Sequence, residues 1–153
     1  MVKKHNHRTR ILGFLLSHKK EEYTIRSIAN KLMIDYKTVY LEVQTLIQKK
    51  LIRARKMGQT TLCSINQNVF DADVFTAEMT RREKLLQKKQ FAVLDSYFKD
   101  VQEPFFILLL FGSQASGKTR TGSDIDLMLI TDQEPIRQKI KDSLSLIPLK
   151  THL

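Results

Sequence analysis

Phe105-Phe106-Ile107-Leu108-Leu109-Leu110-Phe111 runs directly into Gly112-Ser113, and after the interval Gln114 to Ser123 a second apolar run opens as Asp124-Ile125-Asp126-Leu127-Met128-Leu129-Ile130. Each run has the length and aliphatic content of a buried strand, and the glycine lets the backbone turn sharply at the end of the first. Residues i and i+2 of a strand share a face, so Asp124 and Asp126 point together while Ile125 points into the core. Two carboxylates held that close repel each other unless a cation lies between them. Hard divalent ions such as Mg²⁺ take oxygen ligands and commonly share their shell with substrate phosphates. Ser113, directly after the glycine, is placed to offer an N–H and a hydroxyl to a phosphate oxygen. The stretch therefore predicts a strand, a glycine-bearing loop and a second strand, arranged around Mg²⁺ and a nucleotide.

A second phosphate motif overlaps the first. Gly112 to Thr119 also fits the P-loop pattern, with Gly117-Lys118-Thr119 at its end. A P-loop must open straight into a helix whose N-terminus holds the phosphates. Here Arg120-Thr121-Gly122-Ser123 leads at once into the strand-like run, leaving no room for a helix of normal length. The remaining alternative is a plain hairpin whose acids are only solvated strand ends.

The Gly112-Ser113 pair, the ten-residue interval and Asp124-Ile125-Asp126 resemble the signature of the minimal nucleotidyltransferases of the DNA polymerase β superfamily. The resemblance covers about Val101 to Leu153. It implies that Asp124 and Asp126 are the catalytic, metal-holding pair. Gly112, Ser113 and Ser123 would then line the nucleotide phosphates, with Lys118 or Arg120 screening their charge. It further implies transfer of a nucleoside monophosphate from a triphosphate, ATP in the first instance, to a hydroxyl acceptor. Related minimal enzymes modify a partner protein of a toxin–antitoxin pair. Two departures stand out. The family's frequent Ala-Arg-Gly is replaced by Ala115-Ser116-Gly117, and its third carboxylate, expected on a strand after the next helix, has no acidic counterpart among the last residues. Either the domain is incomplete at its C-terminus or it binds nucleotide without turning it over.

The chain's 153 residues suffice for one ordinary domain or two small ones. No apolar run approaches the roughly 20 residues of a membrane-spanning helix, and no signal-peptide core precedes residue 30, so a soluble cytoplasmic protein is expected. The single cysteine, Cys63, excludes an internal disulfide and reads as a buried strand residue. His5, His7, His18 and His152 make no metal-ligand spacing, and His5 and His7 read as a frayed basic tail.

Charge is sharply segregated. Residues 1–66 hold 14 Lys and Arg against 4 acids, whereas residues 67–153 hold 12 of each sign. The whole net charge of +10 thus lies in the first part, which points that part at a polyanion.

Three helical patterns follow one another there. Ile11, Phe14 and Leu15 mark the first, Ile25, Ile28, Ala29 and Leu32 the second, and Val39, Val43, Leu46, Ile47 and Leu51 the third. Thr24 and Asp35 are placed to cap the second and third, which only Met33-Ile34-Asp35 separates. Period-two runs at residues 52–56 and 60–65 then flank Met57-Gly58-Gln59 as a hairpin.

Three helices and a basic hairpin resemble a winged helix-turn-helix domain over about residues 6–66. The resemblance implies that the third helix enters the major groove of duplex DNA. Tyr36, Lys37, Thr38, Tyr40 and Gln44 would then face DNA, with Arg26, Arg53, Arg55 and Lys56 on phosphates. Winged helices also serve as protein-docking modules, but +10 over this stretch exceeds what solubility needs.

Residues 71–99 lack Pro and Gly and predict one long helix or two abutting ones, with Leu85, Leu86, Phe91, Leu94 and Phe98 on an apolar stripe beneath the later strands. Phe70, Val74 and Phe75 offer a surface for a homodimer. A helix is expected over 135–146 with Asp132 or Thr131 as cap and Pro135 in its first turn, and a third strand from Leu149. The expected whole is an α+β chain: winged helix-turn-helix 1–66, helical connector 67–100, and mixed-sheet nucleotidyltransferase domain 101–153.

Overall fold

The computed structural model describes residues 7–98, 101, 106–116, 123–147 and 150–153. The chain divides into two compact units, Met1–Lys84 and Leu85–Leu153.

In the first unit α1 (His7–Ser17), β1 (Tyr23–Thr24), α2 (Ile25–Leu32), α3 (Tyr36–Gln48), β2 (Ile52–Met57) and β3 (Thr60–Ile65) are followed by α4 (Ala72–Leu86). Both expected caps form. Thr24 Oγ1 accepts from the Ser27 N–H at 3.0 Å, and Asp35 Oδ1 accepts from the Thr38 N–H at 2.8 Å, each satisfying an amide that the first helical turn leaves without a partner. The turn between α2 and α3 closes with Met33 in the left-handed region at φ 51°, while the Ile34 N–H reaches back to the Ala29 carbonyl at 3.1 Å. Gly58, at φ 60°, leads the two-residue turn of the β2–β3 hairpin, the place where a tight hairpin needs a positive φ.

Ile11, Leu12, Leu15, Ile28, Val39, Val43 and Leu46 are buried together, so each helix spends its apolar stripe on one core. Cys63 is buried in the same core, as its strand position predicts. Three features depart from the sequence reading. His7 opens α1 instead of belonging to a tail, whereas His5 lies outside the described residues. Tyr23 and Thr24 form a short strand against Cys63 and Leu62, making a three-stranded antiparallel sheet in the order β1-β3-β2. The connector is two helices, and the first serves both cores: Ala77 and Val74 of α4 close the first unit's core, while Leu85 and Leu86 at its end join Phe91, Leu94 and Phe98 in the second, as the apolar stripe predicts.

In the second unit α5 (Lys89–Phe98), β4 (Ile107–Phe111), α6 (Gly112–Ser116), β5 (Ile125–Ile130), α7 (Glu134–Ser145) and β6 (Thr151–His152) build a mixed sheet in the order β4-β5-β6. β4 and β5 are antiparallel, while β5 and β6 are parallel and joined through α7, the helical crossover that parallel neighbours require. Alternation decides which face is covered. Ile125 and Leu127 bury against Phe91 and Leu94 of α5 and Ile136, Ile140 and Leu144 of α7. Ile107, Leu109, Phe111, Met128 and Ile130 point the other way and are exposed. The expected glycine-bearing loop begins as the five-residue helix α6. α7 starts one residue before Pro135, with Gln133 at its cap position and no side-chain cap; Thr131 Oγ1 instead accepts from the Gln133 N–H, so neither Thr131 nor Asp132 caps the helix. Among the described residues no helix is long and apolar enough to cross a membrane.

Candidate functional site

The nucleotide motif assembles at one end of the second sheet. Asp124 immediately precedes β5, and Asp126 is its second residue, half-buried on the uncovered face between inward-pointing Ile125 and Leu127. In the β4–β5 ladder Asp126 stands opposite Phe111, the last residue of β4. Gly112, the next residue, therefore arrives beside the Asp126 carboxylate as α6 begins.

The approach is so close that a Cβ on Gly112 would sit 2.0 Å from Asp126 Oδ2 and 3.0 Å from its Cγ. Gly112 also has φ 70°, a conformation that L side chains rarely adopt. Glycine is thus required twice, by the turn and by the neighbouring acid. Ser113 is half-buried on the first turn of α6, and Ser123 and Asp124 are half-buried at the start of β5. Lys118 and Arg120, assigned from the sequence to the phosphates, lie outside the described residues.

Gln114 is a positioning residue that the sequence reading passed over. Its side chain is 8% exposed; its Nε2 donates to the Ser123 carbonyl at 3.2 Å, and its Oε1 accepts from Gln90 Nε2 at 3.2 Å. One amide thereby ties α5 and α6 to the residue that precedes Asp124. A glutamine between Ser113 and Ala115 reads as an ordinary surface residue, and only the tertiary fold places it inside.

The donor set fits Mg²⁺. Asp124 and Asp126 supply hard carboxylate oxygens separated by one residue, and the space that a Cβ at position 112 would fill is left to Asp126. Among the described residues no third His, Cys, Asp or Glu joins them in a metal-holding cluster. The backbone of β6 brings position 152 into register with Asp126.

The basic unit presents a second candidate surface. Tyr36, Lys37 and Tyr40 are exposed on the outer side of α3, whereas Thr38 and Gln44 are half-buried. The rings of Tyr36 and Tyr40 stack at 6.2 Å with 29° between their planes. The Asp35 carboxyl at the head of α3 is held below its ordinary range by its hydrogen bonds with Thr38.

In the wing, residues 53–57 are all exposed, which puts Arg53, Arg55 and Lys56 on one strand facing solvent, and Arg26 is exposed on α2. Two of these cations have protein partners. Arg53 Nε donates to Asn66 Oδ1 at 3.2 Å, and Arg55 Nη2 pairs with Glu22 Oε2 at 2.5 Å, lowering the Glu22 pKa through that hydrogen bond. Met33 and Leu41, which the sequence reading gave no binding role, are 91% and 56% exposed. Phe70 and Phe75, proposed for self-association, are exposed at the mouth of a groove of about 720 Å³ lined by Leu16, Ile65, Val69 and Val74.

Solved structures similar to the chain include the Staphylococcus aureus MepR–DNA complex, at 21% identity and TM-score 0.41 over 63% of this chain and 80% of that one. Others are the zinc-responsive MarR family member ZitR of Lactococcus lactis (23% identity, TM-score 0.43, 66% and 67%) and the adhesin competence repressor AdcR of Streptococcus pyogenes (17%, 0.42, 66% and 84%). No curated protein matches the chain in sequence. Residues 93–151 match the family model described as polymerase beta, nucleotidyltransferase, in agreement with the resemblance carried by Gly112-Ser113 and Asp124-Ile125-Asp126.

Proposed function

We propose that the chain is a DNA-binding protein whose second unit transfers a nucleoside monophosphate from Mg²⁺–NTP, with ATP as the first candidate, to a hydroxyl acceptor. The observation that carries this reading is the seat of the Asp126 carboxylate on the bare Cα of Gly112. That seat joins the two halves of the motif, ten residues apart in sequence, in one place. Asp124 and Asp126 hold Mg²⁺, and Mg²⁺ supplies neutralisation of charge on the triphosphate and on the departing pyrophosphate. Gly112 and Ser113 orient the β- and γ-phosphates through backbone N–H and hydroxyl groups, with Lys118 or Arg120 adding charge. The acceptor oxygen forms a bond to the α-phosphorus, the bond to the bridging oxygen of pyrophosphate breaks, and the hydroxyl proton passes to solvent. A partner protein, as in a toxin–antitoxin pair, is the proposed acceptor.

The first unit holds duplex DNA. The N-terminal end of α3 leads into the major groove, with Tyr36, Lys37, Thr38, Tyr40 and Gln44 toward bases and Arg26, Arg53, Arg55 and Lys56 toward phosphates. Homodimers would form through the Phe70–Phe75 surface, and the cytoplasm is the compartment that offers both DNA and NTP.

A second reading is favoured by a specific observation: no third acid joins Asp124 and Asp126 among the described residues. In that case the domain binds nucleotide, or only dimerises, and the protein is a transcriptional regulator. The two are separated by incubating the chain with Mg²⁺ and ATP labelled at the α-phosphate, with and without cell extract as acceptor source. Label on protein together with pyrophosphate release, both lost in Asp126→Asn, establishes transfer. A nucleotide-dependent rise in melting temperature without pyrophosphate release selects the regulator, and neither effect removes nucleotide from the account.

A further inference from the structure

We infer that α3 reads its DNA chiefly through the C5-methyl groups of thymine; this rests on the DNA-binding reading above and specifies its ligand chemistry. The outer surface of the turn and helix carries four large side chains in water: Met33 at 91% exposure, Tyr36 at 51%, Tyr40 at 43% and Leu41 at 56%. Such a surface at a helix that the fold presents outward calls for an apolar counterpart.

The residues that read guanine or adenine by paired hydrogen bonds are scarce on the same helix. The sequence of α3, YKTVYLEVQTLIQ, contains no Arg and no Asn; of its two glutamines Gln44 is half-buried, and Gln48, although exposed, is the last residue of the helix, away from the N-terminal end that leads into the groove. Lys37 is its single cation.

The surrounding charge selects the class of occupant. Arg26, Lys37, Arg53 and Lys56 are exposed within residues 1–66, the stretch that carries the chain's entire excess of +10. A second copy would bring the same sign to this face, whereas a nucleic-acid backbone brings the opposite one. Within the major groove the thymine methyl is the one apolar group displayed by the base edges, so it is the counterpart that both the charge and the apolar surface accept. Met33, Tyr36, Tyr40 and Leu41 are specificity residues, and the wing and Arg26 position the duplex.

The test uses the full chain and two alternating duplex polymers, poly(dA-dT) and poly(dA-dU), which carry the same phosphates and the same pairing edges and differ by the methyl. Burying one methyl is equivalent to about fourfold in affinity, so two engaged methyls give a preference on the order of tenfold for the thymine polymer. Poly(dI-dC) against its 5-methylcytosine counterpart repeats the comparison with the methyl at the same pyrimidine carbon, which separates methyl contact from polymer stiffness. The double variant Tyr36→Ser/Tyr40→Ser should bring both ratios toward one. Lys37→Ala should weaken binding to all four polymers and leave the ratios standing. Equal affinity of the wild-type chain for the methylated and unmethylated polymers, with clear binding to both, overturns methyl readout and leaves DNA binding intact. Absence of binding to every polymer at low salt overturns the DNA reading itself and this inference with it.

Discussion

Replacing Gly112 with Ala should disrupt the proposed nucleotide site by displacing one acid. The new Cβ would lie 2.0 Å from Asp126 Oδ2. An ordinary carbon–oxygen contact needs roughly 3.3 Å, so the carboxylate must retreat by roughly 1.3 Å. Driving the side chain off its rotamer costs about 0.5–1.5 kcal/mol. Holding an L residue at φ 70° adds about 1–2 kcal/mol, for a total near 2–3 kcal/mol.

A double-mutant cycle separates the two contributions. In an Asp126→Ala background the carboxylate is gone and only the backbone cost remains, so the coupling between the sites should be about 1 kcal/mol. Calorimetry of the full chain reads this directly, because each unit has its own core: the transition of the second unit should move and that of the first should stay. The same Gly112→Ala protein should lose the stabilisation that the proposed site predicts for the wild type in Mg²⁺ and ATP. If Gly112→Ala costs the same with and without Asp126, the contact has no energetic content and the reasoning fails.

Gln114→Ala should destabilise the second unit by about 1–3 kcal/mol, because the Gln90 amide and the Ser123 carbonyl lose their buried partner; denaturation matched to wild type would show the amide to be idle. In DNA titrations over a range of salt, Lys37→Ala and Arg53→Ala should each reduce the slope of log K against log salt by about 1. Glu22→Gln, which releases Arg55 from its partner, should raise affinity; an unchanged slope in both alanine variants argues against charge neutralisation by α3 and the wing, and weaker binding by Glu22→Gln argues against a phosphate contact at Arg55. Burial pushes the Cys63 thiol from 9.0 up to about 11, so its contribution to stability is complete below pH 9 and is lost as pH rises toward 11. Over that window wild type should lose about 2–3 kcal/mol more than Cys63→Ala, and parallel pH profiles for the two proteins would contradict it.

The parts legible in the sequence are those fixed by neighbours along the chain. Thr24 and Asp35 cap the next three residues, Gly58 meets a local demand for positive φ, and the alternation from Ile125 to Ile130 follows from a period of two. What could not be read depends on distant partners. β1 is two residues long and exists because Leu62 and Cys63 pair with it. The buried place of Gln114 depends on Gln90 and Ser123, and the passage of α4 into the first core depends on Ala77 meeting residues far upstream. The candidate site divides in the same way. Its acids and its glycine stand out by spacing, but their contact arises from the pairing of Phe111 with Asp126 across the sheet.

The two cores share no buried residue, yet the boundary between them falls inside α4: Ala77 belongs to the first, while Leu85 and Leu86, at the end of the same helix, pack against the second. A gene broken between the codons for Lys84 and Leu85 would keep the packed side chains of each core on one piece, whereas a break at Gln87 and Lys88 would take two leucines from the second. Exchange of either half by recombination is therefore constrained to a point within a helix and not to the turn that follows it.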